Sequence, residues 1–364
     1  MDKDFSYALD EDFVGSYREL EYAEEEKNYV IQTLRVKCYV DKTNLKLTFK
    51  DRQDNVINQD EKGYHWEEYQ LSGGNIVKQS KHVFDKEMYF GLGDKPHSFN
   101  MRGKRLQIWG TDEYGFDKDT DPIYKNIPFY MGLHHGIGYG IFFDNTFRSF
   151  FDFASERNSA CSFWAEGGEM NYYFIAGPNL IDVARRYTML TGVPDLPPLW
   201  ALGYHQCKWS YYPESNVREV TEKFRELKLP ADAIYFDIDY MDGFRCFTWD
   251  KERFPDPKKL VSDLKDYGFK SIVIIDPGIK IDKDYSVFQE AFDKGYFCKR
   301  GDGPLMKGKV WPGDCYFPDF TNPEVREWWA GLFDELISDV GVAGVWNDMN
   351  EPAVFETPNK SFPD

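Results

Sequence analysis

Between Leu34 and Phe49 apolar and polar positions alternate. Leu34, Val36, Cys38 and Val40 are separated by Arg35, Lys37 and Tyr39, the turn residues Asp41 to Asn44 follow, and Leu45, Leu47 and Phe49 resume the pattern. A two-residue period turns one face to a core and the other to water, and so predicts a β-hairpin with one wet face. Short apolar runs at 129–133, 139–143 and 172–176, bounded by Gly, Asp and Asn, predict further strands of an antiparallel β-sandwich. The segment from Asp4 to Leu9 reads as the tail of another strand, whose hairpin partner is expected upstream. The polar stretch from Gly110 to Asn126 interrupts the strands with Asp112, Glu113, Asp117, Asp119 and Asp121. A loop of that length inside a compact domain is expected to be functional or mobile, or else a solvated acidic segment.

At residue 179 the period changes. Leu180, Val183, Ala184, Tyr187 and Leu190 fall on one helical face behind Asn179, whose side chain suits an N-cap. Gly192-Val193-Pro194-Asp195-Leu196-Pro197-Pro198 then forms a stiff linker, because each proline fixes its own φ and restricts the residue before it. The expected division is a sandwich over 1–178, a connecting helix and linker over 179–198, and a second domain over 199–364.

That second domain repeats strand, carboxylate-rich loop, helix. Leu199 to His205 predicts a strand, followed by Val217, Val220, Phe224 and Leu227 at helical spacing; Ala233 to Ile238 is the next strand. Asp256 as N-cap and Pro257 at the first helical position open a helix that carries Leu260, Val261 and Leu264 inward and stops at Gly268. Ser271 to Ile275 is a third strand. A helix from Asn322-Pro323 presents Val325, Trp328, Trp329, Leu332, Phe333, Leu336 and Ile337 as a wide apolar stripe, and a fourth strand, Val342 to Trp346, follows. Near-continuously apolar strands alternating with helices mean a parallel sheet covered on both faces.

Composition narrows the functional classes. The 364 residues are 42% apolar and 18% aromatic, enough for sizeable cores and about two domains. A net charge of −18 argues against nucleic acid or an anionic membrane as partner and favours a neutral substrate. Cys38, Cys161, Cys207, Cys246, Cys298 and Cys315 are far apart, with no metal-ligand spacing, and read as free thiols. The adjacent His134 and His135 are expected to point to opposite faces of a strand, so no metal site is expected there. No charged-then-apolar leader and no long apolar run occur in the sequence shown, and the expectation is a cytoplasmic location.

The chemistry gathers where the strands of the second domain end. The first runs into Lys208-Trp209, the second into Asp237-Ile238-Asp239-Tyr240-Met241, the third into Asp276-Pro277-Gly278-Ile279, and the fourth into Asp348 and Glu351. Reactive groups of strand–helix barrels sit at the C-terminal ends of strands, which makes Asp348 the first candidate for chemistry. A lone strand-end Asp would be read as a helix cap, but four strands converging on one carboxylate-and-tryptophan mouth change that reading. Carboxylates beside aromatic platforms, without a phosphate loop or a metal cluster, suit glycosidic cleavage, in which a sugar cation is stabilised and its leaving oxygen protonated.

Trp346-Asn347-Asp348-Met349-Asn350-Glu351 resembles the signature of glycoside hydrolase family 31. Lys208-Trp209-Ser210-Tyr211, Asp237-Ile238-Asp239-Tyr240-Met241 and Lys309-Val310-Trp311-Pro312-Gly313-Asp314 resemble that family's other active-site segments, in its order, over roughly residues 90 to 355. The resemblance implies a galactose-mutarotase-like β-sandwich ahead of the first four units of a (β/α)₈ barrel, a retaining mechanism, no cofactor, and α-glucosidase as the commonest activity. The implied partner is an α-linked gluco-oligosaccharide. An α-xylosidase or α-glucan lyase on the same scaffold and a non-catalytic sugar binder are the alternatives.

Carried over by position, Asp348 matches the nucleophile and Asp237 the residue that bonds hydroxyls of the non-reducing sugar. Trp311, Trp346, Met349 and Ile279 match pocket walls, Trp209 an aromatic near the mouth, and Asp112 the sandwich-loop residue that reaches the site. Asp239, Asp276 and Glu351 are assigned to support of these groups; for Asp239 the plainer reading is a pair with an Arg. The general acid/base of the family follows a later barrel strand, with an Arg and a His nearby. The expectation is therefore that residues 1–364 hold the nucleophile side of the enzyme and are part of a longer protein at both ends.

Overall fold

In the computed structural model the described residues are 6–9, 20–69, 74–357 and 362. They divide into two compact units, Met1–Pro194 and Asp195–Asp364.

The first unit is antiparallel throughout. Its strands are β1 (Glu21–Glu24), β2 (Asn28–Gln32), β3 (Lys37–Asp41), β4 (Leu47–Lys50), β5 (Val56–Tyr69), β6 (Gly74–His82), β7 (Met88–Gly93), β8 (Arg105–Ile108), β9 (Asn126–His134), β10 (Ile137–Phe143), β11 (Ser149–Phe153), β12 (Ala160–Ala165) and β13 (Tyr172–Ala176). A nine-stranded sheet runs β1-β2-β3-β4-β5-β6-β12-β11-β8 and a four-stranded sheet runs β13-β10-β9-β7. Tyr89, Tyr130, Tyr139, Phe143, Phe151, Phe153 and Phe163 form one buried cluster of this unit. A fully buried aromatic side chain removes ~150–250 Å² from water and stabilises the fold by roughly 1.5–3 kcal/mol, so much of the aromatic content of this unit fills its core.

The predicted hairpin is β3 paired with β4, Cys38 opposite Phe49 and Val40 opposite Leu47. Leu34 and Leu45 lie outside it and are exposed, Leu45 with a φ of 58° in the turn. The runs at 129–133, 139–143 and 172–176 are strands β9, β10 and β13. Residues 6–9 form a bend and not a strand end, and Asp4 and Phe5 lie outside the described residues. The acidic loop before β9 is held in place. Asp121 pairs with Lys95 at 2.7 Å and accepts from the Gln107 backbone, while Asn126 bonds Trp109, Ile123 and Tyr124. The two histidine rings do not diverge. His135 sits in the turn with a φ of 48°, which brings its Nδ1 to 3.2 Å from His134 Nδ1, and His134 is otherwise a core residue bonded to the Ile57 carbonyl.

Helix α1 (Leu180–Thr191) is capped by Asn179, whose side chain accepts from Asp182 N at 2.9 Å. Val183, Tyr187 and Leu190 pack on Phe129, Phe142 and Ile175, so the helix belongs to the first unit.

The second unit is built on a four-stranded parallel sheet, β14-β15-β16-β20. Its elements in order are β14 (His205–Gln206), α2 (Glu214–Glu226), β15 (Ala233–Phe236), α3 (Pro257–Asp266), β16 (Lys270–Ile275), β17 (Ile279–Lys280), α4 (Ser286–Lys294), β18 (Lys307–Val310), β19 (Gly313–Tyr316), α5 (Pro323–Asp334) and β20 (Gly344–Asn347). The first strand is much shorter than its apolar run suggests. Leu199 to Leu202 form a 3₁₀ turn with Leu199 and Leu202 exposed, so apolar character there does not signal pairing. The second ends at Phe236, because Asp237 caps the 3₁₀ turn Ile238–Tyr240. Asp256 and Asn322 cap α3 and α5 with Pro257 and Pro323 at their starts, as their spacing predicts. Leu227 and Ile337 are exposed and not inward-facing. Between β16 and α5 lies a subdomain absent from the sequence reading: helix α4 and an antiparallel sheet ordered β17-β19-β18.

Candidate active site

The register of the parallel sheet decides which side chains meet. Tyr235 is level with Ile272 and Ile272 with Gly344, while Ile274 is level with Trp346 and Ile275 with Asn347. Because side chains alternate, His205, Tyr235, Ile272, Ile274, Gly344 and Trp346 share one face, and continuing the same parity past the strand ends adds Cys207, Asp237, Asp276 and Asp348. Two contacts support this face. His205 Nδ1 lies 3.0 Å from the Tyr235 hydroxyl, and the Tyr235 and Trp346 rings meet edge-on with centroids 6.1 Å apart. Ile234, Phe236, Val273 and Ile275 alternate with them in the helix-packed core.

Three carboxylates thus end adjacent strands on one side. Asp237 is half-buried and accepts from its neighbour's backbone, Ile238 N, at 2.7 Å. Burial raises its pKa; that hydrogen bond opposes the rise, and the charges of Asp348 and Asp239 add to it. Asp276 is buried, and burial first, then the charges of Asp348, Asp237 and Glu351, push its carboxyl up to about 8. Asp348 is half-buried and extends the ladder, its N–H donating to the Ile275 carbonyl at 3.3 Å. Glu351 is half-buried and close enough to act on Asp276.

After Asp348 the backbone turns sharply. Met349 has a φ of 60°, a region that a non-glycine residue enters at a cost of order 1–3 kcal/mol. Its side chain is buried with Val310, Cys315, Phe317 and Val354, which anchors the turn to the β17-β19-β18 sheet. That sheet presents Trp311, whose ring centroid lies 5.6 Å from that of Trp209 and 5.0 Å from that of Phe355. Gly278 permits the close approach, since a Cβ there would come within 2.6 Å of Val310. Trp209 is exposed and donates its indole N–H to Asp239 Oδ2 at 3.2 Å. Asp239 also pairs with Arg253 at 3.2 Å, so it has the Arg partner of its plainer reading and orients an aromatic as well.

Trp209 and Trp311 therefore come together, as do Asp237, Asp276, Asp348 and Trp346. Ile279 does not reach open space: it is fully buried, opposite Tyr316 in β17–β19, and packs in the core of the unit. Asp112 lies in the first unit, half-buried beside buried Thr111 in the loop between β8 and β9. The sequence reading missed Tyr235, Cys207, Arg253 and Phe355. Period-two parity counted back from Asp237 would have found Tyr235; nothing local marks Phe355. Among the described residues no group of three or more His, Cys, Asp or Glu could hold a metal ion.

Two family models match consecutive parts of the chain: a glycosyl hydrolase 31 N-terminal galactose mutarotase-like domain over residues 1–152, and a glycosyl hydrolases family 31 TIM-barrel domain over residues 194–364. The chain belongs to glycoside hydrolase family 31. Alpha-glucosidase 2 of Bacillus thermoamyloliquefaciens is 46% identical over 276 residues, covering 76% of this chain and 35% of that protein. An alpha-glucosidase of Saccharolobus solfataricus is 39% identical over 282 residues, covering 78% of this chain and 40% of that protein. The chain thus spans about two fifths or less of the length of these curated relatives. Among solved structures, a family 31 dextranase of Flavobacterium johnsoniae in complex with isomaltotriose superposes with a TM-score of 0.88 at 36% identity, over 96% of this chain and 42% of that one. The sandwich and the strand–helix sheet of this family 31 chain are the architecture of that neighbour.

Proposed function

We propose that the chain carries the nucleophile side of a retaining α-glucosidase that releases non-reducing α-linked glucose from oligosaccharides. The observation that carries this reading is the placement of Asp348 at the end of β20, on the face shared with Asp237 and Trp346. Asp348 attacks the anomeric carbon as the bond to the leaving oxygen breaks, giving a glucosyl ester. The leaving oxygen takes a proton from a carboxyl that the family resemblance assigns to a later barrel strand. Water then adds to the anomeric carbon, returns that proton and frees Asp348, so the configuration is retained. Asp237 accepts hydrogen bonds from sugar hydroxyls, and charge-assisted bonds of that kind are the strong ones. Trp209 and Trp311 offer an aromatic surface on which a second sugar can stack. The relatives named alpha-glucosidase support glucose as the sugar held.

The test is a 5-fluoro-α-glucosyl fluoride, whose fluoride leaves with little help from an acid. Mass spectrometry of the proteolysed adduct should place the sugar on Asp348. An adduct on Asp237 or Glu351 would move the nucleophile; no adduct, with glucose binding intact by calorimetry, would favour a sugar-binding role.

A further inference from the structure

We propose that Asp276 is a positioning residue that stands in this site as a neutral carboxylic acid. At the end of β16, between the strand ends that carry Asp237 and Asp348, its proton keeps a further negative charge out of the cluster and leaves Asp348 as the anion. The inference rests on the glycosidase reading only for its consequence; the protonation itself is a property of the fold.

The geometry leaves Asp276 little alternative. Its side chain is buried, and Oδ1 has no hydrogen-bond partner among the described residues. The backbone that carries it is fixed on both sides: Cys246 Sγ donates to the Asp276 carbonyl at 2.9 Å, and the Tyr240 hydroxyl donates to the Ile274 carbonyl at 2.9 Å. Tyr285 in turn donates to the Cys246 carbonyl at 2.6 Å. The titratable groups that face Asp276 are Asp237 and Tyr240 after β15, Cys246 in the following loop, Cys315 of β19, and Asp348 and Glu351 after β20. None of these is a cation. Among the described residues, then, a buried carboxyl with no cation beside it, no donor to its Oδ1 and three acidic neighbours is the arrangement in which a carboxyl keeps its proton.

The consequence is electrostatic. A charged neighbour within ~4–6 Å moves a carboxyl pKa by roughly one to three units. An ionised Asp276 would therefore make the negative charge on Asp348 harder to hold. A neutral Asp276 removes that penalty and still offers an O–H to a neighbouring carboxylate.

Two measurements on the 364-residue chain test this without turnover. Infrared spectra of the wild type at neutral pH should show a carboxylic-acid carbonyl band that disappears as the pH rises through about 8 and that is absent from Asp276→Asn. Titration of Asp348, followed by ¹³C-carboxyl NMR, should be unmoved in Asp276→Asn below that pH, because one neutral group replaces another. If Asp276 were an ordinary structural carboxylate, the acid band would be missing at neutral pH and the Asn variant would titrate Asp348 at lower pH; either result overturns the proposal. Should Asp276→Asn fail to fold, the band should persist in Asp237→Asn, which leaves Asp276 in place, and its loss there would overturn the assignment to Asp276. Neither readout depends on glucoside hydrolysis, so a failed sugar assay and a failed protonation test remain distinct.

Discussion

The indole N–H of Trp209 donates to Asp239 Oδ2 at 3.2 Å, and Arg253 holds the other carboxylate oxygen at 3.2 Å. An exposed tryptophan at the end of β14 is thereby tied to the loop after β15, with its ring beside Trp311. Asp239→Ala should free the indole without disturbing the carboxylates of β16 and β20. The expected result is weaker binding of maltose, by several-fold, with binding of glucose nearly unchanged, because the ring pair lies where a second sugar would stack. Calorimetry on both sugars checks it; equal loss for both would show that Asp239 acts on the first sugar instead.

Asp348→Asn keeps the size of the side chain and removes its nucleophilicity. In the complete enzyme it should lower kcat by several orders of magnitude with an unchanged thermal midpoint. Near-normal turnover by a folded Asn variant would remove Asp348 from the chemistry.

Asp237→Ala concerns binding. A charged hydrogen bond lost from a site of this kind costs about 1.5–3 kcal/mol. Binding of glucose or deoxynojirimycin should weaken by roughly one to two powers of ten on that basis. Unchanged affinity in a folded variant would mean that Asp237 only caps the turn at Ile238.

What could be read in the sequence divides along physical lines. Caps and strand ends were legible, because Asn179, Asp256 and Asn322 act on backbone groups within three residues of themselves. The carboxylates at 237, 276 and 348 were legible because an apolar run breaking into an acid marks a strand end wherever the strand lies. Leu199 to Leu202 misled, since their apolar character does not signal pairing in β14. The subdomain between Asp276 and Asn322 was missed. Helix α4 carried signals, with Val287, Phe288 and Ala291 buried and Gly295 ending it at a φ of 70°, but its strands pair across separations that no local pattern reveals. The burial of Ile279 depends on that same pairing, which is why a position matched to a pocket wall lies in the core.

In the first unit, Lys81 and Asp60 form a fully buried pair at 2.6 Å, and Lys81 also donates to the Tyr172 hydroxyl at 2.8 Å. Removing one partner strands a charge in a low-dielectric core. Asp60→Leu is expected to cost about 3–5 kcal/mol, whereas Asp60→Leu combined with Lys81→Met should recover most of that loss. Urea unfolding of both variants decides the point; an equal loss in the double variant would show that the pair itself stabilises the sandwich.

The pH dependence of stability should carry the mark of Asp276. Its folded-state value of about 8 lies above the ordinary 3.8, so between those values the folded chain binds a proton that the unfolded chain has released. Stability therefore falls as the pH rises, because the slope follows the protons bound in the unfolded state minus those bound in the folded state, and that difference is negative here. Below the ordinary value both states are protonated and Asp276 contributes nothing; above about 8 both are ionised and the loss has reached its limit. Asp276→Asn cannot titrate, so its stability relative to the wild type should increase from about pH 4 to about pH 8 and then level off. Chemical denaturation of both proteins across that range gives the difference directly. A difference that stays flat would show that Asp276 is already ionised in the fold.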